Sequence, residues 1–265
     1  MSVALVREPE APAVPLLVTI PHSGTDAPEA LVARWTAAGR RRADTDWHLG
    51  MLYDFVPSLG AALVVARSSR YVVDLNRPED GSALYQNRRE TGIIPTTTFD
   101  DQPIYLPHEQ PDAAERAARV ETHWRPWHAL VRARLEALKE QFGYAILFDA
   151  HSIQSEVPRF YAGRLPDLML GTADGSSCAP ALAAAVEEVF VESPLDWTLN
   201  HPFKGGHITR SFGQPADGIH ALQLEMSQRL YMAEGPPYPY LAAKAATLKP
   251  WLKLALSALS RTRPG

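Results

Sequence analysis

Four short apolar runs divide this chain, and each ends near a polar side chain that could take part in chemistry. The runs are Leu16–Ile20 before His22, 71–73 before Asp74, 145–148 before His151, and 219–224 before Glu225. Helix-like segments lie between them, which is typical of buried strands in a mostly parallel sheet. In such a sheet ligands bind beyond the carboxyl ends of the strands. The sequence therefore predicts that these distant side chains converge on one site.

The composition is that of a globular chain of 265 residues, with 46% hydrophobic and 21% charged residues, enough for a sizeable buried core. The formal net charge of −4 gives no basic footprint for nucleic acid, and no apolar stretch reaches the roughly 18 residues that cross a membrane. The single cysteine, Cys178, cannot form an internal disulfide, which favours a cytoplasmic setting. We therefore expect a small-molecule ligand, no nucleic-acid or membrane partner, and a monomer or small homo-oligomer.

The pattern along the chain predicts one α/β domain over residues 1–265, with a loose lead-in at 1–14 that is rich in proline and alanine. Strands are predicted at 16–20, 62–66, 71–74, 144–148, 168–170, 197–200 and 219–225. Helices are predicted at 28–38, 46–55, 112–141, 180–191 and 240–260, with kinks at Pro126 and Pro250.

The stretch 78–111 is polar and irregular and contains five prolines. A loop of this length inside a compact domain is usually functional, as a lid or a binding wall. We therefore expect the segment 86–105 to close over a ligand.

Two histidines, His22 and His151, follow apolar runs and are each followed by serine. An imidazole at a strand end can bind Zn²⁺ through one nitrogen while a second group fixes the other nitrogen. The structural alternative is a histidine that satisfies the backbone groups of a turn. A catalytic zinc site commonly adds one carboxylate, for which Asp44 and Asp46 are the candidates. We favour Asp46, although an aspartate before a helix is also an ordinary cap.

Glu225 ends the last apolar run. A carboxylate closing a buried strand must be paired, hydrated or functional, because burying it alone is costly. It is either a partner in a salt bridge or a general base that takes a proton from metal-bound water. In the preceding loop, Arg210 is a candidate anion contact and His207 a candidate for binding substrate or polarising the scissile carbonyl.

Another group of candidates lies in the stretch 70–77. Arginine's planar fork matches a carboxylate with two hydrogen bonds, and a neighbouring asparagine amide adds a donor without charge. Arg70, Asn76 and Arg77 are therefore predicted to bind the carboxylates of a substrate, with Asp74 available to hold one of the arginines.

Several blocks of the sequence resemble the N-formylglutamate amidohydrolases. They are Ile-Pro-His-Ser-Gly at 20–24, Asp-Thr-Asp-Trp-His-Leu at 44–49, Ser-Arg-Tyr-Val-Val-Asp-Leu-Asn-Arg-Pro at 69–78, Phe-Asp-Ala-His-Ser at 148–152, Gly-Gly-His-Ile-Thr-Arg at 205–210 and Gln-Leu-Glu-Met at 223–226. The resemblance runs from about residue 15 to residue 232. It implies a three-layer α/β/α sandwich with a mostly parallel mixed sheet, similar to zinc carboxypeptidases.

The resemblance also implies hydrolysis of N-formyl-L-glutamate to formate and L-glutamate in histidine degradation. An Asn-Arg pair would hold a substrate carboxylate and a strand-end glutamate would act as base, roles that match Asn76, Arg77 and Glu225. The close His-x-x-Glu ligand pair of carboxypeptidases is absent, because Thr25 stands where the glutamate would be. The expected metal ligands are therefore His22, Asp46 and His151, with Zn²⁺ as the cofactor and Co²⁺, Mn²⁺ or Fe²⁺ as alternatives.

Two other functions stay open at this point. One is a different metal-dependent N-acyl amino-acid hydrolase or a carboxypeptidase that uses the same groups. The other is a non-catalytic protein that binds acidic amino-acid derivatives through its arginines.

Overall fold

The computed structural model describes residues 2–82 and 90–265, which form a seven-stranded mixed sheet with helices on both faces. Along the sheet the strand order is β1-β3-β2-β4-β7-β5-β6. The strands are β1 Ala4–Arg7, β2 Leu16–Ile20, β3 Ala62–Ala66, β4 Ala145–Ile153, β5 Leu168–Gly171, β6 Trp197–Leu199 and β7 Ile219–Ser227. The central four, β3-β2-β4-β7, are parallel. At the edges, β1 is antiparallel to β3 and β5 is antiparallel to β7, whereas β6 is parallel to β5.

The helices are short near the amino terminus and long towards the carboxyl terminus. They are α1 Glu29–Ala33, α2 Ala37–Arg41, α3 Leu49–Leu52, α4 Ala113–Arg119, α5 Arg125–Phe142, α6 Pro180–Val191, α7 His207–Phe212 and α8 Ala242–Arg261. A π-helical turn, Val120–Trp124, joins α4 to α5, and 3₁₀ turns lie at Val56–Leu59, Pro215–Asp217 and Gln228–Leu230. Among the described residues, none of these helices has the length and apolarity to span a membrane.

The alternation of side chains along β2 sends its residues into two separate cores. Leu16 and Val18 pack in the cluster that includes residues of α3, α6 and α8, whereas Leu17 packs with residues of α5. Two hydrophobic cores on opposite faces of one sheet are the mark of a three-layer α/β/α sandwich. The predicted fold class is confirmed.

The structure differs from the sequence prediction in two places near the amino-terminal half. Residues 4–7 form β1, paired with β3, instead of a loose lead-in. Residues 71–74 are a buried turn and not a strand, because the amide of Val72 donates to the carbonyl of Ser69 at 2.8 Å. The prediction of a single domain stays a prediction.

Smaller differences concern element ends. The predicted helix 28–38 is divided into α1 and α2, the second capped by Thr36, and the predicted helix 46–55 is reduced to α3 and a 3₁₀ turn. Pro126 stands in the first turn of α5, directly after the π-helical turn, and Pro250 lies inside α8. Strand β4 runs on to Ile153, so His151 lies within it.

Candidate metal centre and substrate cavity

Three buried side chains offer metal-ligating atoms that lie within 4.8 Å of one another. They are His22, in the turn after β2, Asp46, just before α3, and His151, in β4. The parallel pairing of β2 with β4 brings the two strand ends side by side, and the two imidazole centroids are 4.9 Å apart. The predicted convergence of these residues is thus present in the structure.

Each histidine is held by a second carboxylate through the nitrogen that points away from Asp46. His22 Nε2 lies 2.7 Å from Asp74 Oδ1, and His151 Nε2 lies 2.7 Å from Asp149 Oδ2. The Nδ1 atoms face Asp46 Oδ2, at 3.9 Å for His22 and 3.2 Å for His151. This arrangement is typical of metal-binding histidines, whose outer nitrogen donates to a carboxylate that fixes tautomer and ring orientation.

The electrostatics of the two histidines suit a cation at this place. Burial, reinforced by Arg70, lowers the pKa of His22, so its imidazole is neutral and able to act as a ligand. Burial also disfavours a charged His151, but Asp149 and Asp46 outweigh that effect and raise the pKa of His151 well above its usual range. The carboxylates around His151 therefore favour positive charge, which a proton or a metal ion could supply.

Asp44, the other candidate carboxylate, is engaged elsewhere. Its Oδ2 accepts hydrogen bonds from the hydroxyl of Tyr71 at 2.7 Å and from the amide of Phe99 at 3.0 Å. Burial raises the pKa of Asp44 to about 6, against the lowering effect of the Tyr71 hydrogen bond. Asp44 thus ties the segment around Phe99 to the core, and Asp46 is the carboxylate beside the histidines.

Glu225 lies next to His151, because the two residues are paired in the register of β4 and β7. Its side chain is half-buried and lines the same cavity as the three metal-ligating residues. Burial raises the pKa of Glu225 to about 8; His151 opposes this effect and Asp46 adds to it. A metal ion beside Glu225 would favour its ionised form, and an ionised carboxylate can accept a proton from water and return it.

Arg70 is buried beside the metal-ligating residues, with its Nη1 3.8 Å from Asp46 Oδ1. Its Nη2 donates to Asp74 Oδ2 at 2.8 Å, and its Nη1 donates to the carbonyl of Asp44 at 3.2 Å. The same Asp74 carboxylate therefore holds both His22 and Arg70. Burial raises the pKa of Asp74, but its interactions with His22 and Arg70 outweigh that effect and hold the pKa well below the usual range. The guanidinium also lies 4.8 Å from the ring centroid of Phe99.

Asn76 is positioned by the loop that leads into α7. Its Oδ1 accepts from the amide of Ile208 at 2.8 Å, and its Nδ2 lies 3.2 Å from His151 Nε2. Gly206 makes this packing possible, because a Cβ at that position would lie 2.3 Å from Asn76 Nδ2. Arg77, next in sequence, donates to the carbonyl of Thr91 at 2.9 Å and to the Asn76 carbonyl at 2.9 Å.

A cavity of about 470 Å³ collects most of the predicted residues. Those lining it are His22, Asp46, Arg70, Asn76, Arg77, His151 and Glu225. His207 and Arg210 are not part of the lining described. His207 is half-buried at the start of α7, with its ring 5.7 Å from that of Trp124, and Arg210 is exposed, donating from Nε to the Gly205 carbonyl.

The predicted lid, 86–105, lies partly outside the described residues, but Glu90 and Phe99 line the cavity.

Two residues of the site were missed from sequence. Asp149 stands two positions before His151, and in a strand that spacing puts both side chains on the same face, a signal that was available. Arg159, in the loop after β4, also lines the cavity. No strand end or motif pointed to it.

Comparisons with known proteins identify relatives over most of the chain. A family model described as N-formylglutamate amidohydrolase matches residues 14–232. An N-formylglutamate deformylase of Pseudomonas putida is 44% identical over 247 residues, covering 93% of this chain and 92% of that protein, and one of Pseudomonas aeruginosa is 46% identical over the same coverage.

Solved structures show the same fold. The crystal structure of an N-formylglutamate amidohydrolase from Ralstonia eutropha JMP134 matches with a TM-score of 0.83 at 29% identity, covering 98% of this chain and 96% of that one. The Agrobacterium tumefaciens gene product Atu2144 matches over the same shares of the two chains with a TM-score of 0.74 at 21% identity, a likeness of fold. With a family match over most of its length and two relatives above 40% identity, this chain belongs to the N-formylglutamate amidohydrolase family.

Proposed function

We propose that this protein is a metal-dependent enzyme that hydrolyses N-formyl-L-glutamate to formate and L-glutamate. The observation that carries the proposal is the cluster of His22, Asp46 and His151 with Glu225 beside it, in a cavity that Asn76 and Arg77 also line. The curated names of the two Pseudomonas relatives support the choice of substrate. The corresponding expectation from sequence is a role in histidine degradation in the cytoplasm.

The donor set fits a divalent metal ion, and Zn²⁺ is the ion we propose. Two imidazole nitrogens and one carboxylate oxygen are a usual set for catalytic zinc, and the set also accepts Co²⁺, Mn²⁺ or Fe²⁺. His22 Nδ1, Asp46 Oδ2 and His151 Nδ1 would hold the ion, with Asp74 and Asp149 fixing the imidazoles. When bound, such an ion polarises the formyl carbonyl and acidifies water.

Glu225 is the group we propose to move the proton. Its carboxylate takes a proton from the attacking water and passes it to the amide nitrogen as the C–N bond breaks, so that glutamate leaves as an amine. The half-burial of Glu225 and its place next to His151 in the sheet support this role. Proton transfer by a positioned carboxylate typically contributes about 10²- to 10⁴-fold to a rate.

Asn76 and Arg77 are proposed to hold the substrate's α-carboxylate. Asn76 lies beside His151, so a carboxylate bound there would be only two bonds from the nitrogen of the scissile amide. Arg70 is proposed to act mainly by positioning, because its guanidinium is already paired with Asp74. We assign no substrate contact to His207 or Arg210, which are not among the described lining residues.

The test is to measure the metal content of the purified protein together with formate release from N-formyl-L-glutamate. We expect about one equivalent of a divalent metal, loss of turnover after treatment with a chelator, and recovery when Zn²⁺ or Co²⁺ is restored. Release of acetate or of a peptide-bound amino acid in preference to formate would favour a different N-acyl hydrolase or a carboxypeptidase. Tight binding without turnover, unaffected by chelators, would favour a binding protein.

A further inference from the structure

The wall of the cavity that the loop after β4 forms carries a buried arginine to which nothing above assigns a role. Arg159 lies in the loop between β4 and β5, and only 7% of its side chain is exposed. Its neighbours in this wall are aromatic: Phe99, Phe160 and Tyr161 also line the cavity. A buried cation in an aromatic wall is costly unless it is paired, so its contacts decide what it is for.

The described contacts of Arg159 leave its charge only partly balanced. Its Nη1 donates to the hydroxyl of Thr97 at 3.1 Å, to the carbonyl of Thr98 at 2.9 Å and to Asp101 Oδ1 at 3.2 Å. Its Nη2 donates to the carbonyl of Glu90 at 3.2 Å. Asp101 is the carboxylate among these acceptors, and 46% of its side chain is exposed, so much of its charge is screened by solvent.

Donor capacity remains on the same guanidinium. Among residues 2–82 and 90–265, Arg159 Nε is buried without a hydrogen-bond partner, and Nη2 has one recorded acceptor for its two hydrogens. Arginine presents its N–H groups as a rigid fork that suits the two oxygens of a carboxylate. Because Nε is shielded from solvent, the donor that can meet a ligand is the second N–H of Nη2. The side chain therefore has the charge and a donor to bind an anionic group in the cavity.

A row of contacts links Arg159 to the surroundings of the metal-ligating residues. Arg70, beside Asp74 and Asp46, lies 4.8 Å from the ring centroid of Phe99. Phe99 meets Phe160 edge to face at 4.9 Å, and the guanidinium of Arg159 lies 5.7 Å from the ring centroid of Phe160. Two aromatic rings thus connect Arg70 with Arg159.

We propose that Arg159 binds the side-chain carboxylate of the substrate and sets the preference for a dicarboxylic N-formyl amino acid. The inference rests on the proposed function, which requires two carboxylates to be held. Asn76 and Arg77, near His151, suit the carboxylate closer to the scissile amide, and the methylene groups of the substrate would pass over the aromatic wall. Arg159 then meets the charge at the far end.

A purely structural role is the competing explanation. Arg159 ties the segment 97–101 to the loop after β4, so its loss could reshape the cavity for every substrate alike. Thr97→Val is a matched control, because it removes one hydrogen bond of that tie and leaves the arginine in place. A structural role predicts that Thr97→Val and Arg159→Gln change activity in the same sense on charged and neutral substrates.

The experiment compares N-formyl-L-glutamate with its neutral isostere N-formyl-L-glutamine. We expect the wild type to prefer the glutamate derivative by at least about 100-fold in kcat/KM, since a site built for a charged group leaves buried donors unpaired with the isostere. In Arg159→Gln the ratio should fall to within about tenfold of unity, mostly through loss on N-formylglutamate. Arg159→Lys, which keeps the charge, should recover part of the ratio, and Thr97→Val should keep it.

Equal losses on both substrates in Arg159→Gln, or a wild-type preference below tenfold, would overturn the inference. The preference of the wild type for N-formyl-L-glutamate can be measured even if the Arg159→Gln variant does not fold. Binding of L-glutamate and L-glutamine by calorimetry separates this result from a failure of the proposed function. If the wild type releases no formate, the proposed function fails, yet a preference for glutamate that disappears in Arg159→Gln would still support the subsite, and no such preference would refute it.

Discussion

Replacing Asp149 by asparagine tests how His151 is oriented. The carboxylate of Asp149 is fully buried in β4 and accepts two short hydrogen bonds. The hydroxyl of Thr19 donates to Oδ1 at 2.7 Å, and Nε2 of His151 donates to Oδ2 at 2.7 Å. Asparagine has nearly the same shape, so the change leaves packing intact. In the wild type, the negative charge of Asp149 keeps the proton of His151 on Nε2, so that Nδ1 is free to bind metal. The substitution removes that charge.

The size of the effect follows from the hydrogen bond that is altered. A bond to a charged acceptor contributes about 1.5 to 3 kcal/mol, and its neutral equivalent about 0.5 to 1.5 kcal/mol. The difference corresponds to roughly tenfold in metal affinity, and the range measured for such outer carboxylates is about 10- to 100-fold. We therefore expect Asp149→Asn to bind Zn²⁺ about 10- to 100-fold more weakly than the wild type.

Competition against a chromophoric chelator measures this affinity directly, and circular dichroism checks the fold. Thr19→Val is the matched control, because it removes the other contact of Asp149 and leaves the carboxylate beside His151; its effect on metal affinity should be smaller. A folded Asp149→Asn protein with wild-type metal affinity would refute the assignment of His151 Nδ1 as a ligand held by Asp149.

Three further predictions concern the base, the pH dependence of stability and the core. Glu225→Gln should retain its metal by elemental analysis while kcat falls at least about 10²-fold; loss of metal would instead make Glu225 a ligand. Burial lowers the pKa of His128 to about 3, opposed by its 2.9 Å hydrogen bond to the Leu75 carbonyl, so this residue stabilises the fold above pH 6.5 and that contribution is lost as pH falls towards 3. The free energy of unfolding, measured in urea between pH 6.5 and pH 4.5, should depend on pH less steeply in His128→Gln than in the wild type, by up to about 1.4 kcal/mol per pH unit. The same pH dependence in both proteins would contradict this. Leu135→Ala, in the buried face of α5, should lower the free energy of unfolding by about 2 to 5 kcal/mol in the same assay without changing KM; a loss below 1 kcal/mol would mean that the core closes around the gap.

The convergence of His22, His151 and Glu225 could be predicted from sequence because it depends on topology. Apolar runs give the strands, parallel strands share a carboxyl edge, and a polar residue near the end of each run must lie at that edge. The exact strand ends were not needed for this inference. Strand β4 runs through His151 to Ile153, beyond its predicted end, and the three side chains still lie close together.

The segment 71–74 shows where apolar runs mislead. A short buried run has the same composition whether it is a strand or a turn, and only the backbone hydrogen bonds distinguish the two. Here the amide of Val72 turns back to Ser69, which directs Asp74 towards both His22 and Arg70. In a strand, the side chain of Asp74 would contact residues on only one face of the sheet.

The sequence prediction for the motif at 205–210 rests on the side chains of His207 and Arg210. In the structure, a glycine and a backbone amide of this motif contact Asn76. Gly206 allows Asn76 to approach closely, and the backbone amide of Ile208 donates a hydrogen bond to the side-chain oxygen Oδ1 of Asn76. His207 and Arg210 lie in α7 and are not among the described residues that line the cavity. Arg159 could not be predicted, because a loop residue meets its partners only through the tertiary fold.

Strand β1 has a practical consequence for handling this protein. It covers one edge of the sheet by pairing residues 4–7 with β3, whose own residues are mostly buried. Removing those few amino acids, or disturbing them with a fused tag, would leave β3 with a row of unsatisfied N–H and C=O groups flanked by aliphatic side chains. Such an edge recruits other chains, so shortened versions should self-associate and precipitate before any defect at the distant cavity could be measured.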